Sequence, residues 1–222
     1  MSLHSVAASL TAWDRAVFHL VNDRLKSPAL DVAMPLITDL GLSHVQALVV
    51  IAVAAFTIYS ARVTGRHGLR ADWTATRTWV IPALLGIVLS GLCVQVIKRY
   101  PRDRPSWFYL KQRLAGNHTD VQVQTIKGRR PLRTSGFPSG HTATTAALAV
   151  SLACAMPTRR SRRTVALGMG GLTLLVALSR VYMADHWPLD VLGGLVLGLV
   201  VGWLSIRLCT RVGPRPVEGT TA

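Results

Sequence analysis

Five long apolar runs, with arginine or lysine in three of the four gaps between them, constrain this chain more than any other feature. They cover residues 45–59, 79–97, 142–156, 165–182 and 189–208. Crossing a hydrocarbon layer takes about 20 helical residues whose backbone groups bond to one another, and the runs reach that length with their flanks. The expected fold is all-α: a polytopic membrane helix bundle with five transmembrane helices and an amphipathic N-terminal region. Half of the 222 residues are apolar and mean hydropathy is +0.36, which a water-soluble chain rarely shows.

The N-terminal region reads differently from the runs. Residues 10–25 mix Trp13, Val17, Phe18 and Leu20 with polar side chains, and residues 30–42 carry Asp31 and Asp39. Carboxylates are costly in hydrocarbon, so residues 1–44 are expected to form one or two amphipathic helices in the interface. A sixth span is the alternative, with tertiary burial hiding the carboxylates. The first 25 residues hold Asp14, Arg15, Asp23 and Arg24 and no uninterrupted apolar core, so no cleavable signal sequence is expected. Residues 45–208 then form the membrane domain, and residues 209–222 a flexible tail.

Glycines at 168, 170, 171, 193, 194, 198 and 202 weaken a helix in water but let helices approach closely in lipid. Close packing is the expectation for all of them. Cys93, Cys154 and Cys209 are scattered through apolar runs, which favours packing over a disulfide or a metal site.

The formal net charge of +15 invites a nucleic-acid reading, but most of the basic residues lie outside the apolar runs, in the gaps between them, and no recognised nucleic-acid motif is present. The positive-inside rule accounts for them better. Arg62, Arg66, Arg70 and Arg77 fill one connection, Arg159, Arg160, Arg162 and Arg163 another, and Arg207, Arg211 and Arg215 end the chain. Five spans put these on one side, the cytoplasm. The 98–137 connection and the 183–188 turn then face outward. The 98–137 connection is also basic, a charge that phosphate binding explains.

Three short stretches on that outer side carry chemistry. Lys98 and Arg104-Pro105 follow the second run, with Arg99 and Arg102 nearby, for which snorkelling to headgroups is the expectation. Ser139 of the 138–141 stretch Pro-Ser-Gly-His stands where a helix N-cap is expected, with Gly140 permitting close approach and His141 beside the exposed amides that favour anions. Arg180 ends the fourth run, where burial of its charge implies an anion. His186 and Asp190 are four apart near a helix start, within reach of each other, so that the carboxylate fixes the ring's tautomer and leaves the other nitrogen as a nucleophile. Asp185 is a rival partner for His186, but neighbours in sequence usually point to different sides. Cations, two imidazoles and a carboxylate at the ends of membrane helices suit displacement at phosphorus in a phosphorylated lipid.

These stretches resemble the type 2 phosphatidic acid phosphatase superfamily of membrane lipid phosphatases, with signatures Lys-x6-Arg-Pro, Pro-Ser-Gly-His and Ser-Arg-x5-His-x3-Asp. The second matches at residues 138–141 and the third from Ser179 and Arg180 through His186 to Asp190, while the first is one residue short between Lys98 and Arg104. The resemblance spans residues 45–208. It implies that His186 attacks phosphorus to form a phosphohistidine, that Asp190 orients it, and that His141 protonates the leaving oxygen and later activates water. Lys98, Arg104, Ser139, Gly140 and Arg180 would bind the phosphoryl oxygens, with no metal or other cofactor.

The chain further resembles the bacterial branch that removes phosphate from undecaprenyl pyrophosphate. Phosphatidic acid, phosphatidylglycerol phosphate and diacylglycerol pyrophosphate are alternative substrates, and a non-catalytic lipid-phosphate binder or transporter is the alternative of another class. Soluble vanadium-dependent haloperoxidases share the signatures but not the apolar spans. Expected partners are the lipid substrate and the bilayer, without nucleic acid. Residues 106–136, with Trp107, Phe108 and Tyr109, are expected to form a substrate lid.

Overall fold

Local signals set many of the helix boundaries. The computed structural model describes residues 2–65, 69–99, 101–117, 133 and 135–212. In chain order its helices are α1 (Leu3–Arg24), α2 (Pro28–Asp39), α3 (Ser43–Val63), α4 (Leu69–Ile97), α5 (Pro105–Leu114), α6 (Gly140–Ala155), α7 (Arg159–Tyr182) and α8 (Pro188–Val212). Ser27 caps α2 by accepting from the Leu30 amide, and Thr158 and Ser161 close a reciprocal capping box on α7. Pro28, Pro105 and Pro188 open their helices, where a missing N–H costs nothing.

Among the described residues, four helices are long and apolar enough to cross a membrane: Ser43–Val63, Trp73–Ile97, Arg159–Tyr182 and Pro188–Thr210. The run at 142–156, expected as a further span, is α6, which has only 16 residues. At 1.5 Å per residue it measures about 24 Å, short of a hydrocarbon core of about 30 Å. Packing explains this shortness. Helix α6 lies against α4, α7 and α8, and residues 142–149, 151 and 153 are buried. A helix enclosed by protein has to fit its neighbours rather than lipid, so alanine, threonine and serine serve it well.

The fit is made by α8. Gly194, Gly198 and Gly202 recur every fourth residue, and a Cβ on each would be driven into the carbonyl oxygens of Ser139, Ala143 and Ala147 of the α6 segment. Absent side chains therefore set the α6–α8 distance, as in small-xxx-small pairs. Ser151 of α6 and Ser205 of α8 share a buried hydrogen bond at 2.9 Å, with Gly86 of α4 against Ser151. The expectation of close packing does not hold for Gly168, Gly170 and Gly171 of α7, whose Cβ positions meet open space. That face of α7 is turned away from the bundle.

Helices α1 and α2 pack across the end of the bundle where α7 finishes and α8 begins. Asp14, Phe18 and Asn22, four apart on one stripe of α1, are all buried. Phe18 packs against Tyr109, Val181, Ala184, Trp187 and Val191, and Asn22 Nδ2 donates to the Tyr182 carbonyl at 2.9 Å. Val6, Leu10, Trp13 and Leu20 form an exposed apolar face on the same helix. Thr38 of α2 reaches Ser179 of α7 with a 2.8 Å hydroxyl contact.

The expected lid begins as α5. Its Tyr109 is buried in the Phe18–Trp187 cluster and accordingly anchors the segment to the 183–187 turn. Most of residues 115–136 lies outside the described residues. Helix α8 runs past the expected end at residue 208 to Val212, and residues 213–222 of the expected tail are likewise outside them. The three cysteines are free.

Candidate active site

The ends of α4 and α7 meet the starts of α6 and α8, which brings the three stretches together. Lys98, just past α4, places its ammonium 3.8 Å from where a Gly140 Cβ would stand, so it reaches the N-terminus of α6 despite the shortened spacing to Arg104. Burial, then the charges of Arg104 and Arg180, lower its pKa. The first amides of α6 have no intrahelical acceptor and add to the positive field.

Ser139 occupies the N-cap position in extended conformation but makes no capping bond through its side chain. Its hydroxyl accepts from Thr142 Oγ1 at 3.1 Å, and its amide donates to the Asp190 carbonyl at 2.8 Å, tying α6 to α8. The serine is fully buried and acts here as a brace between two helix starts.

His186 sits in the turn between α7 and α8 and is 1% exposed. The turn is tightly determined. Ala184 takes a left-handed φ of 57°, uncommon for a residue with a Cβ, and the Asp185 and His186 amides both donate to the Arg180 carbonyl. Ser106 N donates to the Ala184 carbonyl at 3.2 Å. Arg104 Nη1 stands 3.3 Å from His186 Nε2 and 3.0 Å from the Asp185 carbonyl oxygen. Burial, then Arg180, Arg104 and Lys98, hold the imidazole well below its ordinary pKa of 6.5, while a backbone hydrogen bond to Gly136 acts the other way.

The expected His186–Asp190 pair is close but not hydrogen-bonded: Nδ1 and Oδ2 are 3.6 Å apart. Oδ2 accepts instead from the Trp187 amide at 2.9 Å, since Asp190 lies in the first turn of α8 and faces the amides there. Asp185 is settled elsewhere. It pairs with Arg180, Nη2 to Oδ2 at 2.9 Å, while Arg180 Nη1 donates to Thr38 Oγ1 at 3.2 Å. His141, on the first turn of α6, lies within electrostatic range of Arg180, His186, Lys98 and Arg104. Gly41 packs on it: a Cβ there would stand 2.9 Å from His141 Cβ.

Arg102 departs from the expectation of snorkelling. Its guanidinium bridges two buried carboxylates, Nη2 to Asp14 Oδ2 at 2.7 Å and Nη1 to Asp190 Oδ1 at 2.9 Å. Asp14 also accepts from the Leu189 amide at 2.8 Å. The residues not anticipated at the site are thus Asp14, Arg102, Thr38 and Gly41. The 14-18-22 spacing on α1 was the one available sign, because a carboxylate and an amide flank an aromatic residue on a single helical face.

The arrangement can hold a tetrahedral anion. Three cations and a helix N-terminus surround a neutral imidazole, with a second imidazole nearby, Arg104 oriented by the Asp185 carbonyl and Arg180 by the Asp185 carboxylate. The chain resembles solved structures of LpxE from Aquifex aeolicus (TM-score 0.60, 23% identity, 86% of this chain and 93% of that one) and of a transmembrane PAP2 type phosphatidylglycerolphosphate phosphatase from Bacillus subtilis (TM-score 0.58, 22% identity, 92% and 88%). At these identities the likeness concerns the fold.

Among curated proteins, undecaprenyl-diphosphatase BcrC of Bacillus subtilis is 35% identical over 80 residues, 36% of this chain and 38% of the relative. Mouse glucose-6-phosphatase 3 is 35% identical over 111 residues, 46% of this chain and 31% of the relative. The chain thus spans less than two fifths of the length of either. Residues 79–213, which contain all three stretches, match the family described as the PAP2 superfamily, and the chain belongs to that superfamily.

Proposed function

We propose that this protein hydrolyses a phosphorylated membrane lipid through a phosphohistidine, with undecaprenyl pyrophosphate converted to undecaprenyl phosphate and phosphate as the best reading. The observation that carries it is the state of His186: buried, neutral, its Nε2 facing a protonated guanidinium amid three cations. A neutral nucleophile set among Arg104, Arg180 and Lys98 suits an anionic electrophile.

In the proposed cycle the lone pair of His186 Nε2 forms a bond to phosphorus as the phosphorus–oxygen bond to the leaving group breaks. His141, protonated when the anionic phosphoryl group binds and offsets the surrounding cations, gives that proton to the departing oxygen. Now neutral, His141 takes a proton from water, whose oxygen attacks phosphorus and breaks the nitrogen–phosphorus bond, releasing phosphate and restoring both histidines. Lys98, Arg104, Arg180 and the amides of the Ser139-Gly140 segment stabilise the charge on the phosphoryl oxygens. Loss of one such donor costs about 3 to 4 kcal/mol of barrier. Asp190 fixes the ring from the Nδ1 side.

The protein is read as an integral membrane protein whose spans are the four long helices with α6 enclosed among them as a fifth. Residues 1–44 are read as interfacial, residues 45–208 as the phosphatase domain, and the site as facing outward. The basic connections at the opposite ends of the helices support that side. Phosphatidic acid and phosphatidylglycerol phosphate are the alternative substrates.

The test is phosphate release by the detergent-solubilised protein from undecaprenyl pyrophosphate, phosphatidic acid and phosphatidylglycerol phosphate, beside His186→Ala. Release from the first with the highest kcat/KM, abolished by the substitution, is expected. Preference for another lipid revises the substrate, and release that survives His186→Ala overturns the mechanism.

A further inference from the structure

We propose that Asp14, on the N-terminal helix, is a positioning residue for this hydrolysis, acting through Arg102 on Asp190. The inference rests on the function proposed above and extends the catalytic machinery to a helix outside the family match, which begins at residue 79.

The geometry is a two-ended clamp. Asp190 has a fully buried side chain and presents two oxygens: Oδ2 to the Trp187 amide and the His186 ring, Oδ1 to Arg102. Arg102 is the outer half of that arrangement, and its side chain is 34% exposed. On its own, a guanidinium this accessible would sample water and leave Asp190 Oδ1 without a fixed cation. Asp14 prevents that by holding the second arm, Nη2, at 2.7 Å. The planar fork of arginine makes the two contacts interdependent, because fixing one arm fixes the direction of the other.

Asp14 is itself immobilised from three directions. Its Oδ1 accepts from Leu189, the residue just before Asp190, so one carboxylate grips both the guanidinium and the start of α8. One turn on, Phe18 is fully buried against Trp187 and Tyr109, and a further turn on Asn22 binds the Tyr182 carbonyl. Helix α1 is therefore registered against both sides of the catalytic turn. Asp14 is 3% exposed, and an uncompensated carboxylate at such a site is costly, so its place there depends on Arg102 and the Leu189 amide.

The test uses full-length protein in detergent with the lipid it hydrolyses fastest, comparing wild type, His186→Ala, Asp14→Asn and Arg102→Lys. Single-turnover trapping of the acid-labile phosphoenzyme reports both how much protein is competent and how fast it reacts. Asp14→Asn keeps shape and removes charge. It is expected to slow phosphoenzyme formation and kcat at least about tenfold, with KM within about twofold and the trapped amount unchanged. A merely structural role would lower the trapped amount and leave its rate alone, which would overturn the proposal. A raised KM with unchanged kcat would overturn it too, by making Asp14 a substrate contact.

Arg102→Lys, a point charge that cannot fork to both carboxylates, carries the same expectation should Asp14→Asn fail to fold. Full activity in either folded variant, with His186→Ala inactive, sinks the clamp and leaves the phosphatase reading standing. Activity or a trapped phosphoenzyme in His186→Ala sinks the reading itself.

Discussion

Arg104 Nη1 lies 3.3 Å from His186 Nε2, and this contact assigns the tautomer of the histidine. A guanidinium only donates, so Nε2 carries the lone pair and Nδ1 the proton, on the side of Asp190. The nitrogen that faces the cations is therefore the one able to attack phosphorus.

Because burial and three cations depress the His186 pKa below 6.5, the free enzyme keeps its nucleophile unprotonated as pH falls through that value. The sign for stability is opposite in consequence. Below pH 6.5 the unfolded chain binds a proton that the folded chain refuses, so folding weakens as pH drops, by about 1.4 kcal/mol per unit for one group until the folded-state value is reached. Thermal unfolding in detergent from pH 7.5 to 5 is expected to show this fall, and a shallower one in His186→Asn. Equal slopes in the two proteins would contradict it.

Gly41 bears on the second histidine. A methyl group there would lie 2.7 Å from Val176 Cγ1 and 2.9 Å from His141 Cβ, with no flexible side-chain end to yield. Gly41→Ala is expected to cost about 1 to 3 kcal/mol of stability through overpacking and to lower kcat by displacing His141. Steady-state kinetics and a melting curve on the same sample check both effects.

The glycines of α7 and α8 should respond in opposite directions. Gly198→Val pushes a side chain into the Ala143 carbonyl, and loss of folded protein on size exclusion is the expected result. Gly171→Ala meets open space and should stabilise α7 by about 0.5 to 1 kcal/mol in a water-like environment, less in lipid. Destabilisation by Gly171→Ala would reveal a partner for that face.

Chelation should leave turnover intact. Lys98, Arg104 and Arg180 supply the positive charge that a divalent ion provides in other phosphoryl-transfer sites. Phosphate release in excess EDTA is expected to match the untreated rate, and an absolute Mg²⁺ requirement would remove this account.

Helical class, the long apolar runs and the three chemical stretches were legible because each is a local signal: hydrophobic length, a cap or a short motif. Asp190 was legible as a residue near His186, but its hydrogen bond to Trp187 N was not, since that depends on how the first turn of α8 points its amides. Likewise α6 reads as a span in one dimension. Only its enclosure by three helices explains why 16 residues suffice.

The pairings of charge belonged to the tertiary structure. Seen along the chain, Arg102 is one of several basic residues after an apolar run, and Asp14 is a polar residue on a mixed helix. Their meeting at 2.7 Å joins positions 88 residues apart, and Asp185 pairs with Arg180 instead of the adjacent histidine. By itself the sequence determined which helices form and which residues could handle phosphate, because propensity, hydrophobicity and motif are properties of neighbours in the chain. Tertiary structure decided which carboxylate answers which cation, because that follows from distance and orientation in a buried, weakly screening interior.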